Sequence, residues 1–316
     1  MTRKTQYLIL ILAIAGLGIF LWRDKADQIH YQLPTINRVP GSKISKITVR
    51  QDQETIVLRK DAGSWTLPPR GYPAHRGRVT RMLRAVGDLQ LSALVSQSTH
   101  YERYGLDQNQ AIRVTARDRQ DRILRRFEVG KTASTSQGTY VRLADDPNVY
   151  LTQSNLRSAL DVDASSLQDK QVLSFAPDRI HKIDLQLAGD PGISLHTTSE
   201  QGKTKDKNQD QPGPTQVRWV TAQDTTVNAT AANSLIRQLS SLRCARYIED
   251  KDKEDLRAPQ LRVTLHGKST HDLRLFSLSG NNSGETAGTS SDNAFPFILS
   301  SPAAKQIQER VHKLVP

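Results

Sequence analysis

The sequence predicts an α+β fold of two tandem related modules, each a mostly antiparallel sheet with a packed helix, preceded by one N-terminal transmembrane helix. Three observations carry this reading. Residues 44–160 and 180–314 present the same landmarks in the same order. In each copy, short runs of alternating apolar residues flank one stretch with three-and-four spacing. The stretch from Tyr7 to Trp22 carries no charge.

The repeat is dense enough to read residue by residue. Ile44-Ser45-Lys46-Ile47-Thr48-Val49 is answered by Ile180-His181-Lys182-Ile183-Asp184-Leu185, and Trp65 by Trp219. The stripe Val79, Met82, Leu83, Val86, Leu89 is answered without a shift by Ala232, Leu235, Ile236, Leu239, Leu242. Three later apolar runs, beginning at Ile112, Leu124 and Val149, return at Leu261, Leu273 and Phe297. What recurs is a set of core positions, so the repeat speaks of architecture and not of chemistry.

At the amino end, Tyr7–Trp22 as helix spans about 24 Å, short of the ~30 Å hydrocarbon core. Snorkelling by Arg3, Lys4, Arg23 and Lys25 absorbs the deficit, and Tyr7 and Trp22 fall where interfacial aromatics belong. An uncleaved signal anchor is the reading; its rival is a leader cut after Ala13-Ile14-Ala15, which would leave an apolar new terminus. A long domain behind a short charged leader is normally translocated. The expected location is therefore the bacterial inner membrane, single-pass, with the bulk of the chain extracytoplasmic.

The domains follow in order: anchor 1–25, stalk 26–43, first module 44–176 and second module 177–316. The stalk is polar, contains Pro34 and Pro40 and has no apolar period. In the first module, Ile44–Val49 and Thr55–Leu58 read as a hairpin and Gly63–Leu67 as a third strand closed by Pro68-Pro69. Val79–Leu89 reads as an amphipathic helix. Strands follow at 111–116, 123–129, 139–143 and 149–151, then a short closing helix within 153–160. The second module carries two insertions read as mobile loops: 199–214, nearly all Gln, Lys, Asp, Gly, Pro and Thr, and 279–293, rich in Gly, Ser, Asn and Thr. The connector 166–177 holds Leu167, Val172, Leu173 and Phe175 and is expected to pack.

The net charge of +12 places anionic partners on the list. For an exported chain these are lipid headgroups or acidic envelope polymers, and nucleic acid is not expected. Cys244 is the only cysteine, so no internal disulfide forms and a cysteine-rich zinc site is excluded; a small buried hydrophobe is expected there.

Chemical motifs are thin. Gly130-Lys131-Thr132 and Gly267-Lys268-Ser269 lack the earlier glycine of a phosphate loop and read as turns after strands. His266 and His271, with Asp272, bracket a hairpin turn without a third ligand and read as exposed turn residues. Asp145-Asp146, Asp161 and Asp163 read as turn and capping acids. No catalytic, cofactor or metal residues are assigned, and the chain is read as non-enzymatic. The functional candidates are basic: Arg113, Arg117, Arg119, Arg122, Arg125 and Arg126 on a predicted hairpin, beside Arg76, Arg78, Arg81 and Arg84 on or near the first helix. As an anionic-surface contact, this hairpin competes with the plainer reading of a solvated face on a basic protein.

The run Gly63-Ser64-Trp65, Tyr72-Pro73-Ala74, the Val79–Leu89 helix, Tyr104-Gly105-Leu106-Asp107, Val129-Gly130 and Tyr140-Val141 resembles domain-of-unknown-function family 4340. The second copy departs from it, with Glu254-Asp255-Leu256-Arg257 in place of the Tyr-Gly-Leu-Asp run. The resemblance implies a single-pass envelope protein associated with an ABC-type export system, and brings no catalytic residue or cofactor. The partners expected are the bilayer, through residues 7–22, and a subunit of an ABC-type transporter. Two alternatives stay open: a module binding anionic envelope polymer or lipid headgroups through the arginine hairpin, and a hydrolase with an unrecognised site.

Overall fold

The computed structural model describes residues 14–16, 18–19, 32–134, 137–201, 215–278 and 285–315. In chain order the first strands are β1 (Lys46–Gln51), β2 (Glu54–Asp61), β3 (Ser64–Leu67), β4 (Tyr72–Pro73), β5 (Leu91–Ser96), β6 (Ile112–Arg117), β7 (Ile123–Thr132), β8 (Thr139–Leu143) and β9 (Val149–Thr152). They are followed by β10 (Lys182–Leu187), β11 (Ile193–Gln201), β12 (Thr215–Thr221), β13 (Arg246–Tyr247), β14 (Leu261–His266), β15 (Thr270–Ser277), β16 (Thr286–Ser290) and β17 (Phe297–Leu299). Among the described residues three helices exceed two turns: α1 (Arg76–Gly87), α2 (Ala229–Leu239) and α3 (Ser301–His312). The class is α+β with two antiparallel sheets.

Contacts divide the chain into two units, Met1–Gly63 with Gly77–Asp163, and Ser64–Arg76 with Ala164–Pro316. The first unit's strands run β2-β1-β6-β7-β8-β9-β5, and the second unit's run β12-β11-β10-β14-β15-β16-β17-β13. From β2 and β11 onward the two orders coincide position by position.

Alternation builds both sheets. In β1, Ile47 and Val49 are buried while Lys46, Thr48 and Arg50 are not; in β6, Ile112, Val114 and Ala116 are buried and Arg113, Thr115 and Arg117 are not. The inward residues face apolar cover. α1 buries Val79, Met82 and Val86, and the single-turn helix Arg157–Leu160 adds Leu160. In the second unit one cluster joins Ile183, Leu185, Val263, Leu265, Leu273 and Leu275 of the sheet to Leu235, Ile236 and Leu239 of α2 and Ile307 and Val311 of α3. Burying each such side chain contributes about 1.5–3 kcal/mol. α2 starts at Asn228, whose side chain accepts from the Ala231 N–H at 3.0 Å.

Several expectations need correction. Residues 279–293 are not one loop: β16 occupies Thr286–Ser290 and buries Ala287, Gly288, Thr289 and Ser290. The reason is packing, since a Cβ at Gly288 would meet the Phe297 ring at 2.4 Å, so the Gly and Ser character there serves close approach and not mobility. Residues 37–43 are more than a tether. The Val39 N–H donates to the Gly87 carbonyl at 3.1 Å, Arg38 pairs with Asp88 at 2.6 Å, and Gly41 lies against Leu83. Trp219 is buried and donates to Asn233 Oδ1 at 3.1 Å, whereas Trp65 is only half-buried, so the two tryptophans are not equivalent core residues.

The boundary at residue 176 also shifts. Ser64–Arg76 and Ala164–Ala176 belong to the second unit. Tyr72 stacks on Tyr247 at 4.7 Å and meets Phe295 edge-on at 4.7 Å. Pro73 accepts from the Asp169 N–H at 2.7 Å, and Leu167 accepts from the His75 N–H at 2.7 Å. Val172 and Leu173 enter the core beside Tyr72, as the connector's apolar content led one to expect.

The anchor falls outside the described residues, and Tyr7 and Trp22 with it; residues 14–16 and 18–19 are helical. Among the described residues no helix is long and apolar enough to cross a membrane.

Replacing Tyr72 by Ala should cost about 3–5 kcal/mol in urea unfolding and open residues 64–76 to protease, because a stacked, buried ring leaves a cavity. A loss below about 1 kcal/mol would show that this segment is not held by the aromatic cluster.

Candidate functional site

Strand pairing sorts the six arginines of the β6–β7 hairpin onto different surfaces. Arg113 lies opposite Glu128, Thr115 opposite Arg126 and Ala116 opposite Arg125. Arg113, Arg117 and Arg126 therefore face outward, while Arg125 shares the inward face with Ala116 and Phe127. Arg119 and Arg122 belong to the connecting turn.

That turn is set by Asp118. Its Oδ1 accepts from the N–H groups of Gln120 and Arg122 at 2.9 and 3.0 Å, and its Oδ2 accepts from Arg122 Nε at 2.7 Å. Desolvation pushes the Asp118 carboxyl upward, but the Arg122 donors outweigh it and hold it below the usual carboxylate range. Asp121 follows with φ +60°, in the left-handed region that Asp tolerates. Arg119 is exposed, and its side chain has no partner among the described residues.

Arg125 closes a helix. It donates to the carbonyls of Val86 at 2.6 Å and Gly87 at 3.1 Å, and to that of Asn37. These include C-terminal carbonyls of α1 that have no partner within the helix, and a cation suits that end of the dipole. Burial lowers the guanidinium's pKa from its ordinary value, with Asp88 opposing the shift. Its position is structural and inward, away from the outward arginines.

The outward arginines are partly matched. Arg113 pairs with Glu128 at 3.3 Å, and Arg142 of β8 reaches the same carboxylate at 2.5 Å. Arg142 also lies 4.1 Å over the Tyr101 ring. Lys46 and Arg117 share Asp121 at 3.3 and 3.4 Å, and Arg126 reaches the exposed Asp145 at 3.3 Å. Arg50, directly opposite Arg113, is exposed with no side-chain partner among the described residues. Lys46, Arg50 and Arg142 belong to the same basic face but were not among the sequence candidates. For Lys46 and Arg50 the signal is present: even-numbered positions of 46–50 alternate with the apolar ones.

On β10, β14 and β15 of the second unit the outward charges of the described residues are matched. Asp184 accepts from Ser194 at 2.7 Å and pairs with His266 at 2.6 Å and Lys182 at 3.2 Å. Asp272 accepts from Arg262 and Arg274, both at 2.8 Å, and from Thr264 at 3.0 Å. Desolvation works to raise both carboxyls, but these donors outweigh it and hold both below the usual range.

His266 and His271 do not meet: their strand positions point to opposite faces, and His271 pairs with Asp292 at 2.9 Å. Neither is an exposed turn residue, because each is held by a strand and a carboxylate. Gly130-Lys131-Thr132 ends β7 and is not a turn; a Cβ at Gly130 would meet the Tyr104 carbonyl at 2.2 Å. Gly267-Lys268-Ser269 does form the turn after β14. Cys244 is buried, and burial pushes its thiol up to about 11. Tyr247 donates to the Asp169 carbonyl at 2.5 Å and accepts from Asn293 at 2.9 Å; burial raises its hydroxyl well above the ordinary value.

Two outcomes follow. Arg125→Ala should cost roughly 2–3 kcal/mol, because it strands helix carbonyls, while Arg119→Ala should stay within about 0.5 kcal/mol; equal losses in urea unfolding would contradict the assignment. A depressed carboxylate contributes stability that is complete above the unfolded pKa near 4 and is lost as pH falls through the lower folded value. Asp272→Asn should therefore destabilise the protein at neutral pH by roughly 1–2 kcal/mol and flatten its loss of stability below about pH 4. An unchanged acid slope would contradict it.

No curated protein and no solved structure matches the chain. A family described as "Domain of unknown function (DUF4340)" matches residues 65–261, from Trp65 on β3 to Leu261 on β14. That match covers more than half of the sequence, and the chain belongs to the DUF4340 family.

Proposed function

We propose that this protein is a non-enzymatic scaffold: a single-pass inner-membrane protein whose extracytoplasmic part is one module written twice, acting as an accessory component of a membrane complex such as an ABC-type transporter. The observation that carries the non-enzymatic part is the state of the carboxylates. Asp184, Asp272 and Asp292 each accept from two or more donors and are held below the ordinary range. A general acid or base needs the opposite tuning, toward the working pH and with a lone pair or proton to spare. These groups instead serve to fix strands.

The duplication is supported by the coincident strand orders and by matching registers, such as Lys46 opposite Arg117 and Lys182 opposite His266. The anchor reading rests on the uncharged run from Tyr7 to Trp22. The transporter association rests on the family resemblance. A second reading is favoured by Arg50 and Arg119, exposed cations whose side chains have no partner among the described residues: the first unit as a binding module for an anionic surface.

Affinity capture from membranes, with the N-terminal run intact and a mild detergent, tests the leading reading. Recovery of the membrane subunits of a transporter in fixed ratio is the expected result. Repeated recovery of the protein alone would count against it.

A further inference from the structure

The two outward sheet faces share one geometry and differ in one respect. Across β11, β10, β14 and β15 the middle row of the second unit reads Ser194, Asp184, Thr264, Asp272. The matching row of the first unit, across β2, β1, β6 and β7, reads Val57, Thr48, Thr115, Arg126. Where the second unit carries two carboxylates, the first has a threonine and an arginine.

The surrounding rows keep their cations. Lys46 lies directly opposite Arg117, and Arg50 directly opposite Arg113, two like-charge pairs on a single pair of strands. The corresponding pairs in the second unit are Lys182 with His266 and Gln186 with Arg262. Over these three rows of β1, β6 and β7 the first unit has five cations and one carboxylate, against three cations and two carboxylates on β10, β14 and β15. Asp121 and Asp145 from bordering loops offset part of the excess. Like charges directly opposite each other destabilise a sheet; Asp121 bridges Lys46 and Arg117 and Glu128 holds Arg113, but such exposed ion pairs return less than about 1 kcal/mol and Arg50 has no partner among the described residues, so a surplus of cations remains that stability does not account for. A ligand that brings its own carboxylates does.

We propose that this face binds an extended acidic segment of a partner protein, whose side-chain carboxylates supply the counter-charge that Asp184 and Asp272 supply in the second unit. The Thr48 and Thr115 hydroxyls, at the centre, would donate to it as Thr264 donates to Asp272. Lys46 and Arg117 would hold one acidic residue, and Arg50 and Arg113 another. The spacing favours a peptide. Successive outward rows lie about 7 Å apart, which is also the separation of alternate side chains in an extended chain. Guanidinium forks pair bidentately with carboxylates as with phosphates, so it is the row spacing that selects a peptide. The proposal deepens the scaffold reading by stating a partner's chemistry and does not depend on the membrane anchor.

The test uses the full chain in mild detergent and a peptide of about ten residues alternating Glu and Thr, with binding followed by titration calorimetry at about 0.05 and 0.5 M salt. Binding at low salt that weakens at high salt is expected. The double variant Thr48→Asp/Arg126→Asp installs the second unit's carboxylates and should weaken binding at least about tenfold without lowering the melting temperature. If that variant does not fold, Arg50→Gln/Arg117→Gln removes one member of each like-charge pair and should produce the same loss. The proposal is overturned if the peptide does not bind, if a folded variant binds as tightly as the parent, or if anionic phospholipid vesicles bind and the peptide does not. No transporter enters the assay, so its failure leaves the accessory role standing, and failure of membrane capture leaves this face standing.

Discussion

In an antiparallel strand every second side chain faces the other way, and that alternation organises both units of this chain. Inward positions such as Ile47, Val49, Val114 and Phe127 are filled by apolar residues, and the outward ones are left to Lys, Arg, Thr and Asp. A slip of one residue between β1 and β6 would bury Arg113 and Arg117 and expose Val114. Register is therefore fixed by the core, and the outward charges inherit their neighbours from it. The charge pattern is a consequence of the packing. Its chemistry could be tuned separately in the two units, because outward substitutions leave the core untouched.

Contacts distant in sequence fix the rest. Arg125 satisfies the end of α1 and also meets the backbone at Asn37, so a single guanidinium joins sheet, helix and the segment ahead of β1. In the second unit, Tyr72, Tyr247 and Phe295 form one aromatic cluster. Beside it Asn293 donates to the Tyr247 hydroxyl, and the buried Ser290 hydroxyl donates to the Val172 carbonyl. These polar groups lie among apolar side chains and each has a partner, as burial requires. The hairpin β3–β4 is thereby fastened to residues 164–175 and 247, and not to its neighbours in sequence alone.

Much of this was legible because it is periodic. The strands at 112–117 and 139–143 and the α1 helix emerged within a few residues of their bounds from alternation and three-and-four spacing. The C-terminal helix was not singled out, although Ala304, Ile307 and Val311 carry the same spacing and Pro302 marks its start. β16 is not legible in the sequence because Thr286–Ser290 is small and polar, and only the Phe297 ring lying over Gly288 explains it. Asn37–Lys43 reads as linker because its partners, the Gly87 carbonyl, Asp88 and Leu83, lie about fifty residues away at the end of α1, which composition does not reveal. For the candidate site, the richness in arginine was plain, but its sorting into Arg125 inward and Arg126 outward required the register. The contrast between Thr48 and Asp184 was visible in the aligned copies, yet it acquired meaning only once both were seen at the centre of a face.

Two like-built sheets carry differently balanced outward faces, one with a surplus of cations and one closer to balance. Hydrogen exchange of the β1 and β6 amides, compared with those of β10 and β14 between about 0.05 and 0.5 M salt, measures this difference directly, since the screening length falls from about 14 to about 4 Å over that range. Protection should rise with salt in β1 and β6, where screening relieves repulsion, and should hold or fall in β10 and β14, where it weakens attraction. The same response in both strand pairs would contradict the claim.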